Sequence, residues 1–269
     1  MKRSAHKLAV LSFLALGLLL QAAIAAAAPT TLDQGVFVSL RAANDSTVNH
    51  IVVTYGPPKP GTDESEKPMW GNYLSDTAGI HNITNPEGYA CITEDATHDF
   101  CPDGTSVGEP GTGDDIVARL GGGNDSFTAT DSIGMFEVKG GDGDDVLRGS
   151  DVPSKSPGFG SPPTTDYFSD TLIGQQGDDL LIGNKGGDFL SGGGGDDVLI
   201  GGPPGTDETG YSPKQPDDTM SGGAGDDLLI ADAHDRDNLI DCGPGKHDVA
   251  VIDRIDPKPK GCEKVKVKK

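Results

Sequence analysis

Between Gly140 and Ile230 one nine-residue pattern recurs, and this period constrains the fold more than any other feature of the chain. It reads GGDGDDVLR from Gly140, GQQGDDLLI from Gly174, GNKGGDFLS from Gly183, GGGGDDVLI from Gly192 and GGAGDDLLI from Gly222. Each unit opens with six glycine-rich residues ending in Asp and closes with three residues whose middle member is apolar. Three residues are too few for a helix, so each unit is a turn followed by a short strand. One apolar residue per unit then points inward: Leu147, Leu172, Leu181, Leu190, Leu199, Met220 and Leu229. A disordered acidic linker, the competing interpretation of such a composition, has no reason to keep a nine-residue register of Gly, Asp and Leu.

The turn half of the unit has its own chemistry. Glycine lets the backbone bring its carbonyls inward, and the Asp adds a hard anionic oxygen at a fixed offset. From Gly140 to Ile230 there are 17 Asp plus Glu against 4 Lys plus Arg. Stacking the turns about 4.8 Å apart crowds these carboxylates unless positive charge lies between them. The nonapeptide resembles the RTX, or haemolysin-type, calcium-binding repeat from roughly Pro110 to Ala250. That resemblance implies an all-β fold, a parallel β-roll (a right-handed β-solenoid) with two nonapeptides per coil and calcium ions stacked between its turns.

With two units per coil, alternate units share an edge. Counting units from Pro110, the even edge carries GGDGDD, GQQGDD, GGGGDD and GGAGDD without interruption. It is expected to bind calcium best, through Asp145, Asp179, Asp197 and Asp227 with main-chain carbonyls of Gly140, Gly141, Gly143, Gly174, Gly177, Gly192, Gly193, Gly195, Gly222, Gly223 and Gly225. The odd edge carries Asp170, Asp188 and Asp218 and is expected to bind less completely. Both of its long insertions, 151–168 and 203–216, fall inside a turn, before its Asp. They would project Phe159, Tyr167, Phe168 and Tyr211 from one side. The first units are degenerate: those from Pro110 and Leu120 keep Asp115 and Asp125 as candidate ligands, while Phe136 stands where the third needs its Asp.

Residues 1–28 combine Lys2, Arg3 and Lys7 with an apolar run from Leu8 to Ile24 and a small-residue stretch before Pro29, the pattern of a secretory signal peptide. The apolar run is at the lower limit for spanning a membrane, so no span is expected in the mature chain. Export suits the four cysteines. Cys91 with Cys101 and Cys242 with Cys262 is the simplest of the three pairings that four cysteines allow. Neither pair has the spacing of a zinc site. Residues 29–109 lack the repeat and read as a small β cap, with Gly35–Leu40 and His50–Gly56 as a hairpin. Trp70, Tyr73 and Tyr89 there suit either a small core or a carbohydrate or protein contact.

After the roll, 110–240, the pattern decays through Asp237 and Leu239. The segment 241–269, with its Cys-Gly-Pro-Gly turn and basic tail, resembles the C-terminal cap of exported bacterial calcium-binding repeat proteins. His247 falls where counting by nine from Cys242 calls for Asp, which argues against a site at that turn. Val265 and Val267 are expected to pack on the last coil.

Losing the three leader cations takes the net charge from −21 to −24, so nucleic acid and anionic lipid are poor partners and divalent cations good ones. The chain has no H-E-x-x-H, G-x-S-x-G or phosphate-loop motif, and its Asp pairs recur where an active site would occur once. The reading is a non-enzymatic, secreted or cell-surface calcium-binding protein. Its role would be structural or adhesive, with cell-surface or matrix partners engaged through insertions 151–168 and 203–216. The alternative is an extracellular enzyme or carbohydrate-binding module with its site at the N-terminal region and the insertions.

Overall fold

Two inward residues per eighteen-residue coil require two sheets, and the computed structural model has two among its described residues. It describes residues 37–41, 48–59, 69–76, 92–94, 97–102, 115–130, 134–151, 169–202, 218–231 and 236–268. The leader 1–28, Cys91, Tyr89, and the aromatic residues Phe159, Tyr167, Phe168 and Tyr211 of the insertions lie outside the described residues, as do nearly all of the insertions themselves.

The strands in chain order are β1 (Phe37–Arg41), β2 (His50–Lys59), β3 (Met69–Asp76), β4 (Ile92–Thr93), β5 (His98–Pro102), β6 (Asp115–Gly122), β7 (Ser126–Thr130), β8 (Phe136–Asp142) and β9 (Val146–Arg148). They continue as β10 (Thr171–Gln176), β11 (Leu180–Ile182), β12 (Phe189–Gly194), β13 (Val198–Ile200), β14 (Thr219–Ala224), β15 (Leu228–Ala231), β16 (Leu239–Asp241), β17 (Val249–Ile252) and β18 (Lys264–Val267). One sheet is ordered β1-β6-β8-β10-β12-β14-β16 and the other β18-β17-β15-β13-β11-β9-β7-β2-β3-β5-β4. Among the described residues all pairings along the roll are parallel, and only β3, β5 and β4 add antiparallel to the second sheet. Thr171 pairs with Phe189 and Leu180 with Val198, one coil of two nonapeptides apart. Both long insertions keep this register across them: Asp142 still aligns with Gln176 and Leu199 with Leu229.

The seven inward residues named from the repeat are all fully buried, in a single-file core between the sheets. Phe127 and Phe136 widen it near the N-terminal end, with ring centroids 5.8 Å apart. A fully buried Leu contributes about 2 kcal/mol. With one such residue per strand, the charges at the turns weigh heavily on whether the roll forms.

Four expectations need correction. First, Gly35–Leu40 and His50–Gly56 are not a hairpin. β1 pairs parallel with β6 and β2 parallel with β7, so they sit in different sheets and form a first coil of the roll. Second, Ile116 aligns with Phe136, which puts Asp115 one residue before the position expected of it; Ile116 and Ala118 are completely buried there. Third, the decaying unit gains a residue after Asp237, so Ile240, not Leu239, points inward beside Met220. Fourth, Val265 and Val267 align with Ala250 and Ile252 but remain 41 % and 53 % exposed. The first sheet ends in an isolated bridge from Asp241 to Lys260, so it offers no full strand opposite them.

The C-terminal coil is closed by a Cys242–Cys262 disulfide. Cys101 is buried and disulfide-bonded as well. These three cysteines are therefore not thiolate ligands, which removes the zinc alternative for them.

Candidate metal centre

Each even turn leaves a first-sheet strand with a glycine at its first position and enters a second-sheet strand directly after its Asp. Parallel register stacks these Asp residues into one column: Asp125, Asp145, Asp179, Asp197 and Asp227, all buried. Each main-chain N–H donates to the Oδ1 of the Asp one coil further on. The bonds are Asp125 to Asp145 at 2.8 Å, Asp145 to Asp179 at 2.8 Å, Asp179 to Asp197 at 2.9 Å and Asp197 to Asp227 at 2.9 Å. One oxygen of every carboxylate is thus fixed by the fold.

The other oxygen is not. Oδ2 of Asp125, Asp145, Asp179, Asp197 and Asp227 is buried with no hydrogen-bond partner. Buried polar atoms are almost always paired, and an anionic one left alone is costly. The surroundings show what would satisfy it. A Cβ placed on Gly140 would press against Asp145 Oδ2 and the carbonyl oxygen of Gly174 in the next coil. The same pair of oxygens borders Gly174 (Asp179 and Gly192), Gly192 (Asp197 and Gly222) and Gly222 (Asp227 and Cys242). Glycine keeps each cradle open, and both polar atoms bordering it are hard oxygens. Among the described residues no group of three or more His, Cys, Asp or Glu side chains converges as on a transition metal. A cage of one carboxylate per turn completed by main-chain carbonyls is the donor set that calcium accepts.

The electrostatics agree. Burial pushes the Asp145, Asp179 and Asp197 carboxyls up to about 7, and neighbouring carboxylates add to the rise against the opposing main-chain donors. Asp125 and Asp227 move up for the same first reason. Without a cation these groups resist ionising.

The odd edge has the same cradle in outline. Gly149 faces Asp170 Oδ2 and the Gly183 carbonyl, and Gly183 faces Asp188 Oδ2 and the Gly201 carbonyl. At the Gly149 turn, however, the protein supplies its own donors. The Ser150 N–H donates to Asp170 Oδ2 at 2.8 Å, and Asn184 Nδ2 donates to the Gly149 carbonyl at 2.8 Å. Ser150 and Asn184 stand in the second position of their units, where the even turns from Gly140, Gly192 and Gly222 have glycine. Phe136 occupies the Asp position and is buried, with its N–H donating to Asp170 Oδ1 at 3.0 Å.

The column runs further than the repeat did, in both directions. Asn49, just before β2, donates its N–H to Asp125 Oδ1 at 2.6 Å and its side-chain amide to the Leu120 carbonyl at 3.0 Å. Leu120 holds the register position of Gly140. The amide hydrogen therefore meets the carbonyl that borders a cradle in later coils. At the other end, Asp248 and not His247 is the column residue, because Val249 pairs with Leu228 and Asp227 N–H donates to Asp248 Oδ1 at 2.7 Å. Lys246 is an extra residue in that turn. His247 instead hydrogen-bonds Asp226 through Nδ1 at 2.6 Å, at the end of an exposed outer ladder through Asp144, Asp178 and Asp196.

Tyr73 stacks at a tilt on the buried Phe100, with centroids 4.8 Å apart, so its ring serves packing at the N-terminal extension of the second sheet. No helix among the described residues is long and apolar enough to cross a membrane.

Comparison with known proteins bears on the same stretch. A family model of the RTX calcium-binding nonapeptide repeat matches in four copies, over residues 137–151, 164–202 and 217–235. No curated protein and no solved structure matches the chain. The matched segments contain Asp145, Asp170, Asp179, Asp188, Asp197, Asp218 and Asp227, the residues that the fold stacks in its two edges. These three segments are RTX calcium-binding nonapeptide repeats, and Ca2+ is the ion that such repeats bind.

Proposed function

We propose that this is an exported protein whose roll forms by capturing calcium along the even edge, and whose role outside the cell is structural or adhesive. The observation that carries the reading is the column of buried, unpartnered Oδ2 atoms on Asp125, Asp145, Asp179, Asp197 and Asp227. In this reading those Asp residues hold calcium with the carbonyls of the glycine-rich turns, from Gly140, Gly141 and Gly143 through Gly174, Gly177, Gly192, Gly193 and Gly195 to Gly222, Gly223 and Gly225. Asp170, Asp188 and Asp218 hold it less completely, because Ser150 and Asn184 already satisfy part of the odd edge. Asp115 is left out of the ligand set, since Ile116 takes its register position.

The leader pattern of residues 1–28 and the disulfides support export. Calcium is scarce in the cytosol and reaches the millimolar range outside, where modules of this kind bind it, so folding is deferred until the chain has left the cell. The insertions 151–168 and 203–216 interrupt the odd edge only, which leaves the even edge free to bind ions while the odd edge meets a cell-surface or matrix partner.

The test is adhesion of the calcium-loaded mature chain to the producing cells and to extracellular matrix, compared with a variant whose two insertions are replaced by short Gly-Ser turns. The expected result is unchanged calcium uptake with lost adhesion. Equal adhesion by both proteins would overturn the adhesive role.

A further inference from the structure

We infer that the C-terminal cap carries its own calcium site, formed by Asp248 and Glu263 outside the repeat array. The inference rests on the calcium reading of the even column and extends it to residues that no nonapeptide predicts.

Register makes the argument. Asp248 directly precedes Val249 as Asp227 precedes Leu228, and Glu263 directly precedes Lys264, the partner of Val249. Glu263 is therefore the column residue of the last coil. The contacts follow the same rule: Asp248 N–H donates to Glu263 Oε2 at 2.8 Å, as every earlier Asp N–H donates to the next carboxylate. The Asp248 carbonyl likewise accepts from Lys264 N–H at 3.0 Å, as the Asp227 carbonyl accepts from Val249. The last turn is short, with only Gly261 and Cys262 ahead of Glu263 after the bridge at Lys260. Glu is one methylene longer than Asp and spans the reach that the shortened turn lacks.

The second observation is independent of these hydrogen bonds. Asp248 is completely buried, and its Oδ2 has no hydrogen-bond partner, the condition of the Asp residues inside the array. A part-buried main-chain bond brings together a buried carboxylate with an unsatisfied oxygen, Asp248, and an exposed one, Glu263, an arrangement that suits a cation reached from solvent. An acceptor for the Asp248 N–H alone would not need the second charge, since Gln would serve. The Cys242–Cys262 disulfide fixes the two turns that carry these carboxylates, so the site is held at its spacing.

The direct test is a crystal structure of the mature chain grown with terbium in place of calcium and read by anomalous scattering. The expected map has peaks along the even column and one more between Asp248 and Glu263. Peaks along the column with none at the cap would overturn this inference and leave the calcium array standing. A map with no peaks at the even turns would overturn both. Glu263→Gln gives a second readout in solution, because it keeps an acceptor for the Asp248 N–H while removing the charge. Calorimetric titration with calcium should count one ion fewer per chain than in the unaltered protein; an unchanged count would overturn the cap site.

Discussion

At the residue scale the column shows how one side chain decides between a cation and a hydrogen bond. Asp179 and Asn49 hold equivalent places, and both are buried. The Asp leaves Oδ2 unsatisfied, whereas the Asn amide donates to the Leu120 carbonyl and to Asp125 Oδ1. Asn49 thus ends the column with a permanent donor. Asn49→Asp removes that donor and adds a buried charge, and it should destabilise the calcium-free chain by about 1–3 kcal/mol. Saturating calcium should restore most of the loss. Urea midpoints in chelator and in calcium check this, and equal shifts in both would show that the position does not distinguish donor from ion.

At the scale of elements, the two edges differ although their repeats look alike. The even turns keep their cradles open; the odd turn at Gly149 is partly closed by the Ser150 N–H and the Asn184 amide. Asp197→Asn should therefore raise the calcium midpoint for folding by about tenfold, roughly 1.4 kcal/mol at one site. Asp170→Asn should raise it by clearly less. Calcium titrations followed by tryptophan-independent far-UV signal compare the two, and equal effects would remove the asymmetry.

The repeat made this edge legible, because a fixed period of nine places Leu181 and Leu199 inside and Asp179 and Asp197 at one turn without any knowledge of distant contacts. Where the period slips, local counting fails. One extra residue, Lys246, moved the expected Asp position onto His247 and hid Asp248. The degenerate unit before β6 has too few glycines to anchor its register, so counting alone puts Asp115 where Ile116 lies. β1 and β2 have the apolar character of a hairpin and of a solenoid coil alike. Their partners Asp115–Arg119 and Ser126–Thr130 lie nearly eighty residues away, and no local signal distinguishes the two folds. Glu263 carries no motif, and only the pairing of its neighbour Lys264 with Val249 puts it in the column.

At the scale of the whole molecule, a thin apolar core is set against a dense column of buried carboxylates. The calcium-free roll should accordingly depend on pH in the opposite sense to most salt-bridged proteins. Asp145, Asp179 and Asp197 have folded pKa values raised to about 7 from the usual 3.8, chiefly by burial. A raised folded pKa gives stability that is fully present below the unfolded value and is lost as pH rises through the folded one. In chelator the chain should therefore gain β structure on acidification from pH 8 toward pH 4. In calcium the dependence should reverse over the same range, because protons compete for the carboxylates. Circular dichroism against pH, with and without calcium, reads both slopes, and parallel curves would contradict the ion's place in the column.

The most direct measurement is far-UV circular dichroism of the mature chain, disulfides intact, titrated with calcium and separately with magnesium. Magnesium demands tighter octahedral geometry and gives up its waters reluctantly, so it is the proper control for a cage of carbonyls and single carboxylates. A cooperative rise of β signal with calcium alone is the predicted result. A spectrum already rich in β structure in chelator, and unchanged by calcium, would contradict folding by ion capture.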